Sequence, residues 1–526
     1  MKTQFTLTGL ALAAAFALAP AHAATFKWAN DGDVRAMDPY TLDETVQNTF
    51  LGNFYEPLIR RTRTLGLEPG LAVKWAQTNP TTWRFTLRPG VKFSDGSPFT
   101  ADDVVFSYTR IASKASVTSG NVASVKEARK IDALTVDFET RAPDPILPDQ
   151  FTNFPIISKA FFEKNNAVEV TPIGTGESIV HRQAMGTGPF LLSLREPDRK
   201  TVIVKNPGWW DKPEHNLDRV EFNVIGSAAT RVAALLSGEM DMIYSVPPQD
   251  IDRIAKTPGV KLIQGPENRT IYLGFDQERE ELLFSNVKGK NPFKDKRVRQ
   301  AFGLAIDADA ITSRIMRGQG VPTNLMWAPA VNGFNKALNT RPKVDLNKAK
   351  ALLAEAGYPQ GFTVTLDCPN DRYIADEATC VAISSMLAKI NIKAEVFART
   401  KVRYFADINP PNYKLSLYLL GWTPSTADAH NVIRSHFASR GRINGIGTVN
   451  LGNFKNDRLD ALEPLISQEL DRTKRQAMID ESAKIVQDEA YYLPLHQQKI
   501  TWAARNNVTL AQPADNTFPM RWVTVK

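Results

Sequence analysis

Side chains able to do chemistry are few in this chain and do not gather into a catalytic motif. Six histidines are scattered over 526 residues. No G-x-S-x-G, H-E-x-x-H or G-x-x-x-x-G-K-[ST] stretch occurs, so the common nucleophile elbow, zinc protease helix and phosphate loop are all missing. A triad is set by geometry rather than chain order, which leaves a secreted hydrolase on an α/β scaffold as the enzymatic alternative. The remaining candidates are groups that hold a solute. Gly421 and Thr423 offer backbone hydrogen bonds, and Trp422 offers an apolar wall or else a core side chain, since tryptophan is usually well buried. His430 and His436 follow. Imidazoles hold metal chelates, nickel among them, but two of them six residues apart do not share a helix face. Asp43 and Glu44 suit either a plain surface loop or a contact with a solute. Neither a resident metal nor a cofactor is indicated.

The elements that carry these residues mix strand and helix throughout. Trp83, Phe85 and Leu87 alternate with polar residues, Pro89-Gly90 makes a turn, and Val91 and Phe93 continue the alternation. Asp95-Gly96 is a second turn, and Thr100 caps a helix with Asp103 at its third position. Thr135 to Thr140 and Phe362 to Asp367 alternate as strands, and a helix over Ala378 to Ile390 follows the second. Helices are predicted over Ala229 to Leu236, Lys296 to Ile306 and Lys348 to Ala356, with Gly238 and Gly357 stopping the first and third. This is an α/β pattern, not a repeat array or an all-β sandwich.

The ends and the composition narrow the setting. Lys2, the apolar run Leu7 to Leu18, Pro20 and Ala21-His22-Ala23 read as a cleaved signal peptide over residues 1–23. The run is shorter than the about 20 apolar residues a spanning helix needs. No cysteine follows the cleavage point to carry acyl chains, so the mature chain is expected free in the periplasm, without a lipid anchor. With 43% hydrophobic and 23% charged residues a large core is possible. The net charge of +8 is spread thinly, and its densest run, Lys288 to Arg299, reads as a solvated helix start. No nucleic-acid motif accompanies it. The only cysteines, Cys368 and Cys380, are expected to pair in an oxidising compartment, a crosslink worth about 3 kcal/mol in the chain-entropy model; two buried thiols are the alternative.

A series of segments carries more information. They are MDPY at Met37 to Tyr40, YEPL at Tyr55 to Leu58, GTGPF at Gly186 to Phe190, NPGWW at Asn206 to Trp210, and LDRVEF at Leu217 to Phe222. RVAALLSGEMDMI at Arg231 to Ile243, YLGFD at Tyr272 to Asp276, NPFKDKRVRQAFGLAID at Asn291 to Asp307, LGW at Leu420 to Trp422 and YLPLHQQ at Tyr492 to Gln498 complete the set. In this order, together with Leu71 to Arg110, they resemble the family 5 extracytoplasmic solute-binding proteins that feed peptide and nickel ABC importers. The resemblance implies an α/β, two-lobe periplasmic binding protein fold of the cluster C type, with hinge crossovers and an extra subdomain. Lobe one would comprise 24–54, 185–268 and 494–526, the extra subdomain 55–184, and lobe two 269–493. It also implies a monomer that gives its solute to an inner-membrane ABC permease and performs no chemistry.

The same resemblance suggests the site. In the family the segment after the N-terminal D-P offers backbone groups to the ligand, here Leu42, Asp43, Glu44 and Thr45. Family peptide binders pair the peptide ammonium with the aspartate of a G-W-x-x-D motif. Here the motif reads Gly421, Trp422, Thr423, Pro424, Ser425, so a serine replaces the acid. Asp428, Asp43 or Glu44 would have to substitute, because an unpaired buried ammonium costs several kcal/mol. His430 lies beside this segment. Dipeptide binders also carry an arginine in the loop after the strand that precedes the Ala378 helix, which makes Arg372 the candidate for a carboxylate, with Arg399 and Arg403 as alternatives. The expected ligand is a peptide-like or other amide-containing solute rather than a simple dipeptide.

Overall fold

A computed structural model describes residues 24–441 and 446–526; the signal segment and its cleavage point lie outside the described residues. The architecture follows from two unusually long strands. Val260–Phe275 and Tyr492–Arg505 pair antiparallel, from Val260 opposite Arg505 to Gly274 opposite Tyr492. They sit in the middle of one eleven-stranded sheet. On one side the sheet continues through Met242–Ile243, Thr25–Asn30, Arg219–Val224, Lys200–Lys205 and Phe190–Glu196; on the other it runs through Leu417–Trp422, Thr363–Pro369 and Lys393–Arg399, and the short strand Gly320–Pro322 pairs with Tyr492–Arg505 as the eleventh.

The core divides along these strands. Ile500, Trp502 and Ala504 pack with Phe26, Trp28, Phe222 and Phe518. Leu493 and Leu495, earlier on the same strand, pack instead with Ile271, Leu273, Phe302 and Leu366. Leu262 packs against a small cluster around Val232 and Ile254. Tyr272 and Tyr492 pack in a fourth cluster, with Trp327 and Phe437. The long strands thus serve two apolar clusters in each half of the core and cross the boundary between the two halves. Such a crossing of a few extended residues suits hinge motion. Among the described residues no helix is long and apolar enough to cross a membrane.

The smaller sheet belongs to the subdomain. Ala72–Asn79, Thr82–Leu87, Thr135–Thr140 and Val125–Asp132 form it in that order. Phe85, Phe138 and Phe151 fill its inner face and share one core with Trp28 and Phe222, so this unit packs as part of the first half. The hairpin expected about Pro89-Gly90 is not there. Thr82–Leu87 pairs with Ala72–Asn79 and Thr135–Thr140 instead, and Lys92 makes only a single bridge, to Pro98. Both edges of the Thr82 strand are taken, so the segment after the turn has no free edge of that strand to join. The helix Ala101–Ile111 starts as its sequence predicts: the Asp103 carboxylate accepts the Thr100 N–H at 2.9 Å, and the Thr100 hydroxyl accepts the Asp102 N–H at 3.3 Å. Arg110 at its far end makes a buried bidentate pair with Asp38, which fastens subdomain to lobe one.

In the second half the helices Lys296–Ala305, Leu346–Glu355 and Asp376–Ala388 lie close to their predicted bounds. Cys368, on Thr363–Pro369, is joined to Cys380, in the following helix, with Cα atoms 6.7 Å apart.

Candidate functional site

A cavity of about 1950 Å³ lies where the two halves part. The half built around Trp28 contributes Asp43, Glu44, Thr45, Tyr244, Asp144 and Asn153, and the other half Arg372, Tyr373, Trp422, Thr423, Ser425 and Asn431. The floor is formed by the crossing strands, through Glu267, Arg269 and Gln498. Small-molecule sites sit preferentially at such domain boundaries.

Leu42 to Glu44 run without regular structure into the helix Thr45–Leu51, and Glu44 is its N-cap, accepting the Val46 and Gln47 N–H groups at 3.0 and 3.1 Å. Asp43, Glu44 and Thr45 line the cavity, whereas the half-buried Leu42 does not. The Asp43 carboxylate accepts a bond from the Asn48 side chain.

Arg372 projects from the loop between Pro369 and Asp376. Its backbone N–H donates to Asp376, as does that of Tyr373, at 2.9 and 3.0 Å, so the aspartate holds the loop by its main chain. The guanidinium itself has no hydrogen-bond or ion-pair partner among the described residues. It lies 5.5 Å from the Tyr373 ring centroid, and Arg269 lies 5.9 Å from the same ring. Surrounding protein, and then the neighbouring charge of Arg269, pull the Arg372 guanidinium below its ordinary pKa, while Glu267 and Glu44 act in the opposite sense. A carboxylate entering here would relieve that deficit. Arg399 is unavailable, being buried against Asp367 and Asp407; Arg403 pairs with Asp407 on the outside.

The Gly421–Ser425 segment divides. Gly421 does not line the cavity. Its carbonyl accepts the Tyr373 hydroxyl at 3.3 Å, and a Cβ there would meet Ile271 Cδ1 at 2.6 Å and Tyr373 Cε1 at 2.8 Å. This corrects its assignment as a ligand contact: it lets Tyr373 pack against the strand. Trp422 lines the cavity, with its indole N–H donating to Asn431 at 3.1 Å. Thr423 and Ser425 also line it, and the Ser425 hydroxyl accepts from the Asn431 amide at 2.8 Å.

Asp428 is a second correction. It is 1% exposed, and its carboxylate receives both terminal nitrogens of Arg475 at 2.7 and 2.8 Å and the His430 N–H. It does not line the cavity, and its carboxylate is already engaged by Arg475 and the His430 N–H. The His430 ring faces Glu463 at 3.0 Å. His436 is buried, with Nδ1 at 2.7 Å from the Ser435 hydroxyl and Nε2 at 3.1 Å from that of Tyr272. The two imidazoles therefore do not converge on a metal, and among the described residues no three metal-ligating side chains gather. Ser435 and His436 superficially suggest a nucleophile and base. The Ser435 hydroxyl donates to the Asn431 carbonyl, Tyr272 stands where a triad has its acid, and burial pushes the imidazole down to about 3. A base so weak is poorly matched to neutral pH.

Sequence reasoning missed the floor. Glu267, Arg269 and Gln498 on the crossing strands line the cavity, joined by Tyr373 and Asn516 from neighbouring loops. Charged and amide residues in the middle of a long strand were the available signal.

Two halves joined by crossing strands, with a cavity between them, define a two-lobe solute-binding protein. The chain belongs to the bacterial extracellular solute-binding proteins, family 5 (Middle), whose profile matches residues 66–444. It is 28% identical over 469 residues to the dipeptide-binding protein of Escherichia coli K12, covering 83% of each chain. It is 25% identical to the glutathione-binding protein GsiB of Salmonella paratyphi A, over 96% of this chain and 95% of that one. The crystal structure of the substrate-binding protein CtaP from Listeria monocytogenes superimposes with a TM-score of 0.83 at 21% identity, covering 96% and 99%.

Proposed function

We propose that this protein is the periplasmic solute-binding component of an ABC importer and carries a peptide-like or other amide-containing solute with a free carboxylate. The signal-like N-terminal segment supports the periplasmic setting. The observation that carries the ligand class is Arg372, a guanidinium in the cavity with no hydrogen-bond or ion-pair partner among the described residues, its pKa held down by burial and then by the charge of Arg269. Arginine's planar fork receives a carboxylate bidentately. The backbone of Asp43 to Thr45, opposite, suits the amide part, as main-chain hydrogen bonding does for extended peptides.

Lobe two offers no carboxylate for an ammonium at Ser425, and Asp428 is consumed by Arg475. The usual ammonium clamp of the G-W-x-x-D motif is therefore absent, and any acid for an ammonium has to come from Asp43 or Glu44; this favours γ-linked or modified peptides, opines and amino-acid derivatives over simple dipeptides. Relatives named for dipeptide and for glutathione bracket this range.

The test is thermal stabilisation by a panel of these solutes, with product analysis of the same mixtures. Binding to the native state raises apparent stability by about 2.7 kcal/mol at a hundredfold excess over Kd. Stabilisation with the solute recovered intact supports the reading. Turnover would transfer the protein to the hydrolases.

A further inference from the structure

The two crossing strands fall out of step at one place. Pro266 pairs with Lys499 and Thr270 with Gln497, so Glu267, Asn268 and Arg269 stand opposite Gln498 alone. Irregularities of this kind re-aim side chains, and Glu267, Arg269 and Gln498 all line the cavity. Each is under a tenth exposed, so their polar atoms need partners. Glu267 Oε1 accepts from Arg269 Nε at 3.2 Å and from Asn516 Nδ2 at 3.3 Å. Its Oε2 accepts from Gln498 Nε2 at 2.9 Å. The other amide atom of Gln498, Oε1, accepts the Ile374 N–H at 3.1 Å. Ile374 is two residues beyond Arg372, in the same loop. The bulge is also tied to the C-terminal segment, since the Asn268 N–H donates to the Ala514 carbonyl at 2.7 Å.

We propose that Gln498 is a positioning residue which, with Glu267, forms a relay from the hinge to the loop that presents Arg372. Both Glu267 oxygens accept, Oε1 from Arg269 and Asn516 and Oε2 from Gln498, so the Gln498 amide turns its NH2 towards the carboxylate. That orientation is what leaves Oε1 for Ile374. On one side the relay is held by Asn516, and on the other it holds the Arg372 loop. A change of strand angle at the bulge therefore moves the group that receives the solute. The functional consequence rests on the reading of the cavity as the solute site; the coupling itself does not.

The experiment is hydrogen–deuterium exchange on the ligand-free full chain, with Glu267→Gln, Gln498→Glu and the double swap. In Glu267→Gln, any orientation of the new amide sets NH2 against a donor. In Gln498→Glu two carboxylates meet. In the double variant Gln at 267 accepts from Arg269 and Asn516 and donates to Glu at 498, which still accepts from Ile374. The expected result is about tenfold faster exchange over 370–376 in each single variant. The helix at 296–305, in the same half, stays unchanged, and the double swap recovers protection. Unaltered exchange in the singles, an increase spread equally over 296–305, or no recovery in the swap overturns the relay. Should a single variant fail to fold, the swap is compared directly with wild type, and raised exchange over 370–376 counts against it. Because no solute is present, failure here is separate from failure of the solute-binding reading.

Discussion

Asn153 donates its side-chain amide to the backbone carbonyl of Ser425 at 2.6 Å, across 272 residues of chain. Asn153 belongs to the subdomain and Ser425 to the second half, and both line the cavity. The bond therefore closes one rim of the cleft without touching its floor. An exposed neutral hydrogen bond contributes about 1 kcal/mol net. Asn153→Ala should speed solute dissociation about fivefold and leave association and ligand-free thermal stability nearly unchanged. Stopped-flow kinetics separates the two rates; an unchanged dissociation rate would mean the rim contact plays no part in retention.

Arg372→Ala should weaken the natural solute at least about tenfold, or about 1.4 kcal/mol, with the fold intact. Arg372→Lys should fall between, since an ammonium keeps the charge and loses the fork. Calorimetry on the solute identified by the panel measures both. Equal dissociation constants for wild type and alanine variant would remove Arg372 from the site.

Asp428 behaves oppositely. Its pair with Arg475 is nearly closed to solvent, and removing one member of a buried pair costs about 3–5 kcal/mol because the other is stranded. Arg475→Ala should lower the denaturant midpoint markedly while leaving the solute affinity of the folded protein near wild type. A stable variant with lost affinity would instead return Asp428 to the ligand.

Two buried imidazoles set an acid limit. Burial holds His436 and, together with Arg341, His496 down to about 3. Well above pH 6.5 both are neutral whether folded or not and contribute nothing to the pH dependence. Below it the unfolded chain binds protons that the folded chain refuses, so stability falls as pH drops from about 6.5 towards 3, by about 2 kcal/mol per histidine at pH 5. Urea midpoints at pH 7.5 and 5 should show His496→Gln losing less than wild type by about that amount. Parallel losses would show that His496 is already protonated in the fold.

Local pattern made the helices and the capping box at Thr100 readable in the sequence, because these depend on neighbours within one turn. The Thr82–Leu87 strand was readable as a strand but not its partners, since Ala72–Asn79 and Thr135–Thr140 compete for the same edges as the segment after Pro89-Gly90 and only tertiary packing decides. Arg372 was named through the resemblance to dipeptide binders, which puts an arginine in the loop after the Thr363–Pro369 strand, and it lines the cavity. Asp428 and Gly421 looked equally eligible, yet one is claimed by Arg475 from a distant helix and the other by the ring of Tyr373. No local pattern records such long-range claims. The floor residues were hidden for a related reason: the bulge that turns Glu267 and Arg269 inward exists only in the pairing of two strands over two hundred residues apart.

Native mass spectrometry of the protein purified from its own host asks most directly whether the cavity seizes a small solute and gives it back unchanged. The prediction is a mass excess of one small molecule per chain, released intact on denaturation and absent from Arg372→Ala. Release of a cleaved product, or an excess that persists undiminished in the Arg372→Ala protein, would contradict it.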